Sequence, residues 1–488
     1  MSVPFISTHP HTVEKIGGTS IAATEQVFDN VLIGERTGAS IYNRIFVVSA
    51  YAGMTDLLLE HKKTGEAGVY GNFIANDADC SWEQALDAVE GAMLAKNAEI
   101  FDSFKSRAGA DAFADERIRE LRDCLNNVGQ LREHGHFRLT EPLADLREML
   151  AAAGEAHSAH NTALLLRDRG VNGVFVDLSR WQGDRPSLDE RILQGLKNID
   201  LNTQLPIVTG YALCQGGMVS RYDRGYSEIT FSRAAVTTGA CEAIIHKEFH
   251  LSSADPRLVG ERNAHKIGLT NYDVADQLAN LGMEAIHPGA GRGLRQSNIS
   301  LRVKNIFHRN DEGTLICGDY VSATPRVEII AGSREMFALE FFEQDMVGEK
   351  GYDATILEAL TRHRVAIVSK SSNANTITHY LSAPVKLVRR VINDLEIKYP
   401  GATIAVHSVS MVSLIGSDLD APGLTLKAMA ALGNAGVKVL GLQHQIRNVD
   451  IQFIVAREDF ENTIRLLHRA LIEPRITAIP DTQPNVAA

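Results

Sequence analysis

Cysteine is scarce and unpaired by spacing. The five cysteines (Cys80, Cys124, Cys214, Cys241 and Cys317) stand far apart with no C-x-x-C pair. That excludes a disulfide framework or a cysteine zinc site and favours buried thiols in a reducing compartment. Basic charge is also short: 49 Lys and Arg against 60 Asp and Glu leave a net charge of −11, the wrong sign for a nucleic-acid surface. No apolar run approaches the ~18 residues that a membrane span needs, and the first residues lack the apolar core of a secretory signal. There is no Walker A sequence. Gly289-Ala290-Gly291-Arg292-Gly293 lacks the third glycine of a dinucleotide fingerprint and reads as a turn. What remains is a soluble, cytoplasmic chain of 488 residues, with ordinary hydrophobic (44%) and charged (22%) content and room for two or three domains.

The stretch around which the chain is organised is Lys15-Ile16-Gly17-Gly18-Thr19-Ser20. Val13 and Ile16 suggest a short buried strand that stops at two glycines, and Val27, Val31 and Leu32 continue as a helix. A strand, a glycine turn and a helix start can cradle an anion, and Lys15 adds a compact positive charge beside it. A tight turn with a solvated lysine reads the same way locally. Arg44 to Ala50 is a continuous apolar strand ending in a small-residue turn, which makes Ser49 and Thr55 either ligand contacts at a strand's carboxyl end or helix caps. Residues 57–170 read as mostly helical, with stripes at Leu86, Val89 and Met93 and at Ile118, Leu121, Leu125 and Val128 that suit core packing. Gly154-Glu155 reads as a helix start, with Glu155 either holding a substrate ammonium or sitting in a first turn favoured by the dipole. His157 and His160 lack the further ligands that a metal site needs. A second strand, glycine turn and cation recur from Pro206 to Glu228, where Arg224 can clamp a carboxylate or phosphate bidentately. From about residue 330, two successive strand-helix-strand-strand-helix units look like a tandem of small α+β modules.

These motifs, in this order, resemble the aspartate kinases of the amino acid kinase family. The opening stretch is similar to K-F-G-G-T-S, Gly154-Glu155 with Ser158 to G-E-x-x-S, and Arg224-Gly225 with Ser227 to G-R-G-G-S-D. Asp255-Pro256-Arg257, His287-Pro288 and Val303-Lys304-Asn305 follow in the expected order. Tyr42-Asn43-Arg44 and Glu60 to Gly65 resemble the subgroup of ectoine-producing bacteria. The resemblance implies an α/β fold: an amino acid kinase-like three-layer sandwich over 1–325, then two ferredoxin-like ACT domains over 330–400 and 401–474, and a tail over 475–488. It implies ATP- and Mg²⁺-dependent phosphorylation of the β-carboxylate of L-aspartate, the entry to aspartate-derived amino acids and ectoine. Lys15, Arg224 and Glu228 would form the catalytic set. Ser49, Thr55, Glu155 and Arg224 would hold aspartate. Lys15, Gly17, Gly18, Ser20, Lys247 and Arg257 would hold ATP, with no dedicated metal ligands. A homodimer or larger assembly and an amino-acid effector at the ACT tandem are also implied, with no nucleic-acid or membrane partner.

The departures from the family pattern are local. Asp223-Arg224-Gly225-Tyr226-Ser227-Glu228 replaces two glycines with larger residues and lengthens an aspartate to Glu228. The family's W-T-D becomes Ile245-His246-Lys247, and a lysine before its H-P becomes Glu284. Lys247 stands as a replacement for the lost charge. Two other readings follow from these changes: a kinase of the same fold acting on glutamate, and a catalytically weak amino-acid sensor.

Overall fold

The computed structural model describes residues 9–62, 64–75, 81–181, 184–222, 225–283 and 285–473. The chain divides into two compact units, one of residues 1–250 with 286–318, the other of 251–285 with 319–488. In the first unit the strands are β1 (Thr12–Ile16), β2 (Arg44–Val48), β3 (Gly173–Val176), β4 (Leu205–Thr209) and β5 (Glu242–Lys247). In chain order the second unit then supplies β6 (Leu269–Asn271), and β7 (Ser300–Asn305) and β8 (Thr314–Cys317) return to the first. The first unit's strands run β3-β4-β2-β1-β5-β7-β8, parallel except for the β7–β8 pair. Every residue of β2 and β4 is buried, as parallel strands covered on both faces require.

Side chains alternate across the sheet, so β1 serves two layers. Ile16 enters a core with Phe46, Val48, Ala159 and Ala163, where the helix Thr140–Asp168 packs. Lys15 faces the other layer and the helix Tyr226–Thr238. The helical region expected over 57–170 is present as Val69–Ala75, Trp82–Ile100, Phe104–Glu133 and Thr140–Asp168, and the two apolar stripes are buried between the long helices. Three local readings change. Glu155 sits in the middle of Thr140–Asp168, because the helix continues back through buried Leu146 and Leu150. Gly289–Gly293 is helical within Pro288–Gln296, started by Pro288 at the first turn and the His287 cap. Asp255-Pro256-Arg257, which reads locally as a turn, opens a short helix, Pro256–Val259, capped by Asp255.

The second unit holds the six-stranded antiparallel sheet β10-β11-β9-β12-β14-β13, made of β9 (Ile329–Phe342), β10 (Ala366–Ser372), β11 (Thr376–Ser382), β12 (Thr403–Ile415), β13 (Val439–His444) and β14 (Asp450–Val455). Two helix pairs cover it. Tyr352–Arg362 and Val385–Lys398 pack on Leu339 and Phe341, while Leu424–Asn434 and Phe460–Leu471 pack on Ile330, Val412 and Phe453. The long central strand β9 therefore serves both helix pairs. Residues 251–285, placed within 1–325 by the sequence reading, cluster here: Val274 and Leu278 share a core with Ile329, Met336 and Met411. No helix among the described residues is long and apolar enough to cross a membrane.

Candidate active site

The carboxyl ends of β1, β2, β4 and β5 meet along one edge of the first unit, where ligands of open parallel sheets bind. The turn after β1 passes so close to the turn after β2 that a Cβ on Gly18 would lie 2.7 Å from the Ala50 carbonyl oxygen. Gly17 caps the short helix Gly18–Ala22. Ser20 Oγ donates to Glu248 Oε1 at 2.6 Å and lies 3.3 Å from the His246 carbonyl, so its hydroxyl is held by the end of β5. Ser49 and Ser227 hydroxyls are 3.1 Å apart, and Ser158 Oγ donates to the Ser49 carbonyl at 2.8 Å. Three segments far apart in sequence are thereby tied together.

Lys15 is buried, and its Nζ lies 3.7 Å from Glu228 Oε1. Glu228, in the first turn of Tyr226–Thr238, also accepts the His287 N–H. Burial works to raise the Glu228 pKa, but Lys15, Lys247 and the His287 amide outweigh it and hold the carboxyl below its usual range. Glu155 is placed differently. Burial pushes its carboxyl up to about 8, offset only in part by Lys15 and by the Tyr211 and Ala50 amides. Its Oε2 is buried without a hydrogen-bond partner. A Cβ on Gly210, the residue after β4, would meet Ser227 Cβ at 2.6 Å, that same oxygen at 2.7 Å and the Val48 carbonyl oxygen at 2.8 Å, which explains why glycine follows β4. The site thus pairs one lysine with an ionised carboxylate and keeps a second carboxyl unmatched.

The remaining expected residues divide. Thr55 is half-buried in the first turn of Met54–Leu58, after Gly53 at φ +83°. Lys247 ends β5 with Nζ 5.8 Å from the centre of the Phe249 ring, and its charge reaches Glu228. Arg224 and Glu284 lie outside the described residues. Arg257 belongs to the second unit, where it is exposed and folds back on Asp255 at 2.7 Å. Tyr226, standing where the family pattern has glycine, is buried edge-on to Tyr211 with ring centres 5.7 Å apart. His157 and His160 are packing groups: His157 bonds to Asn97 at 2.7 Å and His160 stacks on Phe113 at 4.1 Å. Burial pushes them down to about 3 and about 4, so both are neutral. No group of three or more His, Cys, Asp or Glu side chains among the described residues is arranged to hold a metal.

Two features were not singled out from sequence. Glu14 is buried between Arg44 Nε (2.6 Å) and His246 Nε2 (2.7 Å), and Arg44 also donates to the Leu32 and Val31 carbonyls at 2.8 and 2.7 Å. Burial opposes the charge on Glu14, but Arg44 and His246 outweigh it and keep the carboxylate ionised. The signal was a polar titratable residue (Glu14, Arg44, His246) in each of three buried strands. Glu148 is the second. It lies two helical turns before Glu155 and accepts the N–H groups of Met218, Val219 and Ser220, with Ser220 and Tyr211 hydroxyls, all at 2.8–2.9 Å. Glu148→Ala leaves the buried donors of Tyr211, Met218 and Val219 unmatched, and is expected to lower stability by about 3 kcal/mol in urea unfolding.

The family model described as the amino acid kinase family matches residues 11–305. The chain belongs to that family. It is 50% identical to aspartate kinase Ask_Ect of Stutzerimonas stutzeri over 465 residues, covering 95% of this chain and 98% of that protein. The aspartokinase of Candida albicans is 23% identical over 94% of this chain and 90% of its own. Among solved structures, Escherichia coli aspartokinase III in complex with lysine and aspartate has a TM-score of 0.68 at 21% identity, covering 95% of this chain and all of that one. The aspartate kinase of Clostridium acetobutylicum has a TM-score of 0.63 at 18% identity, over 95% of this chain and all of its own. The α/β fold class expected from sequence, with an antiparallel C-terminal sheet, agrees with these structures.

Proposed function

We propose that this kinase transfers the γ-phosphoryl group of ATP to the β-carboxylate of L-aspartate, giving 4-phospho-L-aspartate and ADP. The observation that carries the reading is the contrast between the two carboxyls beside Lys15. Glu228 is already paired with Lys15, whereas Glu155 has a buried oxygen with no hydrogen-bond partner. A substrate ammonium completes Glu155. The aspartate β-carboxylate then lies toward Lys15, whose charge stabilises the phosphoryl group in flight, with Gly17 and Gly18 leaving room for the phosphates. Arg224 is assigned to a substrate carboxylate, Ser49 and Thr55 to substrate contacts, and Lys247 to the nucleotide.

Mg²⁺ arrives on nucleotide phosphates and keeps several waters. Glu228 and Glu248 are the carboxylates available to it, and it would neutralise phosphate charge. An amino-acid effector on the second unit, a homodimer or larger assembly, a cytoplasmic location and service to the ectoine or general aspartate pathway complete the proposal. The test is ATP-dependent ADP release with L-aspartate, L-glutamate and no acceptor. Turnover with L-aspartate at least a hundredfold above the other two is expected. Preference for glutamate would move the substrate, and no turnover in a folded chain would favour a sensor.

A further inference from the structure

A cavity of about 630 Å³ lies on the face of the sheet opposite Lys15. Alternation puts Glu14 of β1, His246 of β5 and Lys304 of β7 along its floor, while Arg36 and Asn43 line it from the segment joining β1 to β2. Its charges do not balance. Glu14 is matched by Arg44 and His246, Glu242 by Arg302 at 2.8 Å, Glu35 by Arg309 at 2.8 Å, and Glu312 is 3.7 Å from Arg302. Arg36 and Lys304 are left, both half-buried and without a carboxylate in ion-pair range among the described residues. The contact of Arg36 is a long hydrogen bond to the Ile33 carbonyl at 3.5 Å.

We infer that this cavity is a second ligand site, separate from the phosphoryl-transfer edge, for a small organic anion. Five cations face four carboxylates along its lining, Arg36 and Lys304 are the cations outside the ion pairs, and the space admits a small metabolite. The anion could be a phosphate monoester or a hydroxy-dicarboxylate, which share this chemistry.

Calorimetric titration of the full chain separates the sources. L-aspartate and Mg-ADP are kept saturating so that the transfer site is filled, and glycerol 3-phosphate or L-malate is added. One probe is expected to bind saturably, one per chain, and the probe that binds names the source. Binding is expected to weaken at least tenfold in Arg36→Ala/Lys304→Ala and to persist in Arg36→Lys. Lys304→Gln, measured alongside, supplies the same comparison if the double variant does not fold. Failure of both probes to bind wild type, or equal binding by the charge-deleted variants, overturns the site. Because binding itself is read, the outcome is independent of which acceptor the kinase phosphorylates.

Discussion

Lys15→Ala is expected to lower kcat about a thousandfold while the chain stays folded, the scale reached when one preorganised charge at a transition state is removed. Lys15 sits at the end of a strand held by parallel neighbours on both sides, so its position survives truncation of the side chain. The Michaelis constant for aspartate should move less than tenfold, since the carboxylate–ammonium contact is assigned to Glu155. Arginine should not rescue: a planar fork in place of a compact ammonium would meet Glu228, 3.7 Å away, in a buried space. Steady-state rates at saturating ATP decide the matter. A variant within tenfold of wild type would remove Lys15 from the chemistry.

Glu155→Gln is expected to raise the Michaelis constant for aspartate about a hundredfold at pH 8, the scale of a charge-assisted buried hydrogen bond worth up to about 3 kcal/mol. The pH dependence is the sharper readout. With its carboxyl at about 8 in the empty site, Glu155 is mostly protonated at neutral pH, and an incoming ammonium must displace that proton. Wild-type affinity for aspartate should therefore rise with pH between 6 and 8, with proton release on binding, and both effects should vanish in the glutamine variant. Stability has the opposite slope. Between about 4.5 and 8 the folded chain holds a proton that the unfolded chain has lost, so Glu155 lowers stability as pH rises, by at most about 1.4 kcal/mol per pH unit. Glu155→Gln should flatten that slope in urea unfolding measured across the range. An unchanged slope would mean that Glu155 is not the buried acid.

The legible parts of the sequence were those in which local chemistry and fold agree. Lys15 to Ser20 could be read because a strand, two glycines and a lysine are adjacent in the chain. The buried stripes at Leu86, Val89 and Met93 were legible because helical spacing places them on one face. Glu155 was read as a helix start because Gly154 looks like a boundary, yet that glycine is a packing position: a Cβ there would meet Ala50 Cβ at 2.9 Å and Met54 Cγ at 3.0 Å. Glu148 escaped notice because its five donors come from residues 63 to 72 positions away.

By itself, the amino-acid sequence determined the parallel core, the glycine-rich turns, the order of the family motifs and the alternation that turns Lys15 one way and Glu14 the other. These follow from backbone sterics and side-chain period, which act between near neighbours. Tertiary structure alone decided which carboxyl is satisfied. Glu228, half-buried, and Glu155, buried, are both within reach of the same lysine, yet one is ionised and the other protonated. The difference lies in Lys247 and the His287 amide, brought beside Glu228 by the ends of other elements. The cost of burying charge depends on every dipole nearby, and only the folded chain brings them together.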